Sequence, residues 1–355
     1  MKKLITPIII LLLAFVCSTD LFAGNKDRAG QAGATELLVN PWARSSGLHG
    51  MNSSFTQGLE AMRVNPAGLV FVNKTEVLFA NTMWLKGSGV SLNAFGIAQT
   101  IGEGSALGLT VTNMSFGELL VTTENDPEGA LGATYRPQLM NIGVSYAKSF
   151  SNSIHVGFLG RLISQSIADA TASGFAFDMG IQYVTGPKDN IRFGISLRNI
   201  GTPMRFSGDG LAIKVSDPGG DPYLLTVNQR TEKFELPSAL NIGGSYDLYL
   251  DGSDMHRLTI LANFTSNSFS KDQIGGGLEY SFNEMFMVRG GYRYEEGITG
   301  NFSLAERSSA YTGFCAGASI NVPFKEEGPA VGVDYSFRTS NPFAGTHTIG
   351  VRINL

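Results

Sequence analysis

From Thr75 onward the chain alternates, residue by residue, between side chains fit for hydrocarbon and side chains that are small or charged. Ile191, Phe193, Ile195 and Leu197 alternate with Arg192, Gly194, Ser196 and Arg198. Val331, Val333, Tyr335 and Phe337 alternate with Gly332, Asp334, Ser336 and Arg338. A period of two is that of a β-strand with unlike faces, because successive Cβ atoms point to opposite sides. The last stretch, Thr346 to Leu355, behaves the same way: Ile349, Val351, Ile353 and Leu355 share one face, and Thr348, Gly350, Arg352 and Asn354 the other. A soluble domain needs a helix or a second sheet to cover such an apolar face. A barrel in an outer membrane needs only lipid, and it closes its last strand on its first.

Alternation alone also suits a β-sandwich. Run length and loop order separate the two. Most runs are ~10–13 residues, which fits tilted membrane strands better than the ~5–6 of globular sheets. Every second connection is short: 102–104, 151–152, 186–189, 251–254, 283–284 and 323–328. The long ones, 116–136, 201–236 and 297–308, all fall in the other register. Short turns in the periplasm and long loops outside are what outer-membrane barrels show, and a sandwich has no reason to sort its loops. The expected fold is all-β: an antiparallel transmembrane β-barrel of about 14 strands over 75–355.

Composition agrees. Charged residues make up 16% of the chain, against about 25% in soluble proteins. Abundant glycine and the lack of any apolar run long enough for a helical span after the leader point the same way. The net charge of −4 is mild and suggests no nucleic-acid partner.

Residues 1–23 read as a cleaved signal peptide, with Lys2 and Lys3 ahead of the apolar Ile8–Leu13 run and Ala23 at the cleavage site. Val16 is too bulky before Cys17 for lipoprotein processing, so the exported chain keeps Cys315 alone and forms no internal disulfide. Residues 24–74 lack the two-residue period and form an N-terminal arm and plug with short helices. Within it, Asn65-Pro66-Ala67-Gly68-Leu69 suits a helix start, with Asn65 capping and Pro66 in the first turn. The segment is expected to plug or line the bottom of the barrel.

The inward faces bring together Arg161, Asp178, Arg192, Arg198, Asp247, Glu279, Arg289, Arg293, Asp334, Arg338 and Arg352. Charges of both signs in a narrow lumen pair and stiffen the wall; a pore selective through its arginines is the alternative. The four histidines match no metal-ligand spacing, and neither a nucleophile elbow nor a phosphate loop is present. No enzyme, metal or cofactor is expected. The 201–236 loop carries its own apolar residues, Met204, Phe206, Leu211, Tyr223, Leu224 and Leu225. A loop of that length is functional or folded over the mouth, and those residues are candidates for docking a partner.

The Asn65–Leu69 run after a leader resembles the Asn-Pro-Ala signature in the plug of FadL-type fatty acid transporters, which are barrels of the same strand number. With Glu36–Ser46, Phe175–Tyr183 and Leu197–Gly201, the chain resembles more closely the PorV/PorQ family, FadL-like barrels of the type IX secretion system. That resemblance implies a non-enzymatic component that binds the translocon or the C-terminal signal of secreted cargo. The terminal Leu355 departs from the aromatic end of many outer-membrane barrels. A FadL-like channel for hydrophobic small molecules, such as fatty acids, is the alternative.

Overall fold

The computed structural model describes residues 26–219, 223–250, 254–298, 313–324, 328–340 and 343–355. The expected leader, most of the 297–308 loop and parts of the 251–254 and 323–328 turns lie outside the described residues. The barrel strands are β1 Thr75–Met83, β2 Ser91–Gly102, β3 Ser105–Ser115, β4 Gln138–Ser149, β5 Ile154–Ile167, β6 Ala170–Thr185 and β7 Ile191–Gly201. They continue with β8 Ala239–Tyr249, β9 His256–Asn267, β10 Gln273–Phe282, β11 Phe286–Glu295, β12 Gly313–Pro323, β13 Ala330–Arg338 and β14 Thr346–Asn354. Each pairs antiparallel with the next, and β14 closes on β1 with Val351 opposite Phe79. The fold is a closed 14-stranded antiparallel barrel, as the alternation predicts.

The outer face settles barrel against sandwich. Ile195, Phe177 and Val333 are 50%, 54% and 48% exposed, where a sandwich would bury them between two layers. The inward neighbours Ser196, Asp178 and Asp334 are buried. A wall that shows isoleucine and phenylalanine outward and hides aspartate inward is stable only against hydrocarbon.

The two ends of the cylinder differ. One carries short turns; the other carries the 116–137 and 202–238 loops, each with a small hairpin of its own, Leu119–Leu120 with Thr134–Tyr135 and Ala212–Ser216 with Leu224–Asn228. The loop end also holds one tight turn, Ala168-Asp169 between β5 and β6, with Ala168 at φ 48°. Sequence alternation ends β5 near 166 and resumes near 173. The strands run on through Gln165–Thr171, because ladder pairing continues past the point where an apolar face has any use.

The N-terminal segment packs against inward-facing residues of the wall. It is built of short pieces: turns of 3₁₀ helix at Thr35–Leu38 and Pro66–Phe71, and single α-turns at Ala43–Ser46 and Ala61–Val64. Asn65 caps the Pro66–Phe71 turn, accepting from the Ala67 N–H at 3.2 Å with Pro66 in the first turn. The segment touches the wall near both ends of the cylinder. At the loop end, Gly33 donates to the Glu235 carbonyl at 3.0 Å, and Leu37 packs on Ile163, Met204 and Leu236. At the turn end, Phe71 meets the His155 ring edge-on at 4.7 Å. The wall is cut to receive it: a Cβ on Gly157 would overlap the Pro66 carbonyl, and one on Gly194 the backbone of Ser53. Glycine is required there by close approach of backbone to backbone.

Candidate functional site

The site is the lumen, and its wall has two unlike arcs. Along β2 to β4 the inward residues are Leu92, Ala94, Ala98, Ala106, Met114, Ala147 and small polar groups, with no charge among them. Trp42, Leu59, Met62 and Leu69 of the N-terminal segment pack on this arc with Leu78 and Leu159. Toward the loop end Val39, Leu92 and Met114 continue the apolar surface with Trp84, Phe116 and Leu139. A small cavity of about 40 Å³ lies between the two clusters, lined by Val39, Trp42, Met62, Leu139 and Leu159 and, on its other side, by the charged Glu36, Arg63 and Arg161. Burying a side chain of leucine size contributes roughly 1.5–3 kcal/mol, so this contact holds the segment to the wall, without the fixed geometry that directional bonds would impose.

From β7 to β14 the wall is charged. Near the turn end Arg192 pairs with Asp247 at 2.9 Å, Arg289 with Glu279 at 2.8 Å, and Arg352 with Asp334 at 2.6 Å. Arg257 lies between Asp247 and Glu279, at 3.7 and 3.6 Å, and reaches Glu284 of the β10–β11 turn at 2.7 Å. The N-terminal segment joins this network: Arg44 meets Glu279 at 3.4 Å and Glu60 meets Arg352 at 3.6 Å. Burying such charges costs several kcal/mol each, which the alternating signs offset only while every partner is present.

Of the charges singled out on the inward faces, Arg161, Asp178, Asp247, Glu279, Arg289, Asp334 and Arg338 are buried, and Arg192, Arg198, Arg293 and Arg352 are half-buried. Arg161 binds Asp178, which also accepts from the Asn199 N–H at 2.7 Å beside a register shift between β6 and β7. Arg198 and Arg293 line a cavity with Arg338, whose guanidinium donates to the Asn40 carbonyl at 3.2 Å. Sequence reading missed Arg257, which shares the inward register of Thr259 and Leu261 and was legible there. It also missed Glu36, Arg44, His49, Glu60 and Arg63, whose segment has no periodicity to read. Burial pushes the Glu36 carboxyl up, against a hydrogen bond from Gln165 at 2.8 Å, and holds the His49 ring well below its usual range.

Asn65 is fully buried and donates from one amide nitrogen to the carbonyls of Ser53, at 2.8 Å, and Ile181, at 3.0 Å. It thus ties the segment to itself and to β6. Pro66, Ala67, Gly68 and Leu69 follow it, all buried. Of the loop residues, Met204 is buried in the cluster with Leu37, and Phe206 packs at its edge. Leu211 and Leu225 are half-buried, which leaves Tyr223 and Leu224 exposed. Among the described residues no group of His, Cys, Asp and Glu is placed to hold a metal ion.

No family model and no curated protein matches the chain. Solved structures do. The Pseudomonas putida toluene transporter TodX aligns with a TM-score of 0.54 at 11% identity, over 89% of this chain and 97% of its own. CymD, a monoaromatic hydrocarbon channel, aligns at 0.53 and 13% identity over the same shares. This chain has their barrel fold. The likeness spans nearly both lengths, so the N-terminal segment and the barrel are compared together. With its lipid-facing wall, the chain is a transmembrane β-barrel of that fold.

Proposed function

We propose that the protein is an outer-membrane channel for small hydrophobic molecules. The observation that carries this reading is the uncharged β2–β4 arc, where two apolar clusters, one toward each end of the cylinder, lie between the wall and the N-terminal segment. The relatedness in fold to channels described as carrying toluene and monoaromatic hydrocarbons supports the same reading. The gap along that arc is about 40 Å³, little more than a water or two, so passage requires the segment to shift. An apolar contact permits this, because dispersion and burial are non-directional and re-form after a slide.

The test is uptake of labelled toluene and of a labelled long-chain fatty acid by cells with and without the protein. Gly143→Phe is the informative variant: its side chain points at Leu159 and fills the gap. Uptake that depends on the wild type and falls at least tenfold in the folded variant is expected. Equal uptake in cells lacking the protein would exclude the channel.

A second reading, an accessory of type IX secretion that binds translocon or cargo, draws on the exposed Tyr223 and Leu224 of the long loop. It predicts that translocon proteins or cargo co-purify from detergent-solubilised outer membrane and are lost in a Tyr223→Ser, Leu224→Ser double variant. Normal cargo delivery in a deletion strain would eliminate it.

A further inference from the structure

The charged arc is not uniform. Near the turn end Arg192, Arg257, Arg289 and Arg352 each meet a carboxylate. Nearer the loop end Arg63, Arg198 and Arg293 make no ion pair among the described residues, although they line a cavity of about 190 Å³ under the 202–238 loop. We propose that this cavity is a binding site for a small oxyanion, and that its occupant is an organic carboxylate.

The three guanidiniums are held in place by neutral acceptors. Arg63, only 8% exposed, donates to the carbonyls of Val39, at 3.4 Å, and Leu37, while its second terminal nitrogen is buried with no partner. Arg198 donates to the Arg63 carbonyl at 3.1 Å, and its Nε is likewise buried and unpartnered. Arg293 donates to Gln273 at 3.2 Å and to the His49 carbonyl, and the buried His49 Nε2 has no partner. The carboxylates that act on these arginines are Asp178 and Glu295. Asp178 is already taken by Arg161 and the Asn199 N–H, and Glu295 accepts from Gln273 at 2.7 Å.

A buried guanidinium without a counter-ion is costly, so its persistence in a lumen asks for an anion. Guanidinium forks match carboxylate and phosphate oxygens in pairs, and such charge-assisted bonds are about twice as strong as neutral ones. The remaining lining selects between the two. Phe269 and Leu38 give the cavity an apolar side at the loop end, which suits the hydrocarbon body of an organic acid and offers nothing to inorganic phosphate. Arg63 lines both this cavity and the gap along the apolar arc, so the two adjoin at that side chain; Arg198 and Arg293 face this cavity and not that gap, and the anion site stands whether or not hydrocarbons pass along the arc.

Titration calorimetry on the full-length protein in detergent micelles tests it, with benzoate, toluene and inorganic phosphate as probes. Saturable benzoate binding that weakens with added salt is expected, with toluene not binding at this site. Arg198→Gln and Arg293→Gln should each weaken benzoate at least tenfold, about 1.4 kcal/mol. Arg136→Gln, in an exposed loop pair with Glu118, should leave it unchanged. Heat-modifiable gel mobility reports that each barrel is folded. Thr265→Trp fills the cavity without removing a charge and should abolish binding even if the arginine variants fail to fold. Phosphate binding tighter than benzoate would overturn the organic occupant. The site itself is overturned if neither anion binds saturably, if toluene matches benzoate, or if Thr265→Trp binds as the wild type does.

Discussion

The arc from β2 to β4 and the arc from β7 to β14 hold the same N-terminal segment by different means. The first offers alanines, flanked by Leu78 and Leu159 of β1 and β5, to Trp42, Leu59 and Met62. The second offers alternating charges to Arg44 and Glu60. Apolar contact tolerates displacement, whereas an ion pair in a dry lumen fails abruptly when its geometry is lost. The segment is therefore hinged on its charged side and free to yield on its apolar side.

The largest effect that separates the arcs is expected at Glu279, which faces Arg44, Arg257 and Arg289. Glu279→Ala should cost about 3–5 kcal/mol by stranding buried guanidiniums, read as a lowered urea midpoint of the folded barrel. Next comes Leu59→Ala on the apolar side, expected at about 2–4 kcal/mol in the same assay. If the two arcs differ as described, Leu59→Ala should also raise hydrocarbon uptake while Glu279→Ala should not. Asn65→Ala, which removes a cap and two tethers, should cost about 1–2 kcal/mol and increase proteolysis of the segment at its turn end.

The smallest effect lies outside the membrane. Burial pushes the Glu284 carboxyl up, but the hydrogen bond and charge of Arg257 prevail and hold it below the usual range. A carboxyl depressed on folding adds stability above its unfolded pKa, and that stability is lost as pH falls through the folded value. Glu284→Gln should therefore lower the urea midpoint slightly at pH 7, and the difference should vanish in the acid range.

The cylinder was legible because period-two alternation is dictated by the bilayer itself. Phe177, Ile195 and Val333 had to face outward once the strand was placed. Strand ends near Gln165 and Thr171 were less so, since beyond the lipid both faces can be polar and the pattern stops. The same physics made Arg192, Glu279 and Arg352 readable as lumen groups. Arg44, Glu60 and Arg63 were not, because the 26–73 segment takes its course from distant wall positions such as Gly157 and Gly194, and local spacing carries no trace of them.

Those wall glycines bear on how the molecule is made. Backbone lies against backbone at Gly157 and Gly194, with no clearance for a chain to be threaded in afterwards. Residues 26–73 also precede β1 and so are delivered before any strand. Such a fit is most readily reached if the segment is in place before the seam between β14 and β1 closes, and folding yield of a circularly permuted chain is the measurement that checks it. A permuted gene that moves this segment behind β14 is expected to yield less folded barrel than the wild type, and equal yield would show that the segment can enter a closed wall.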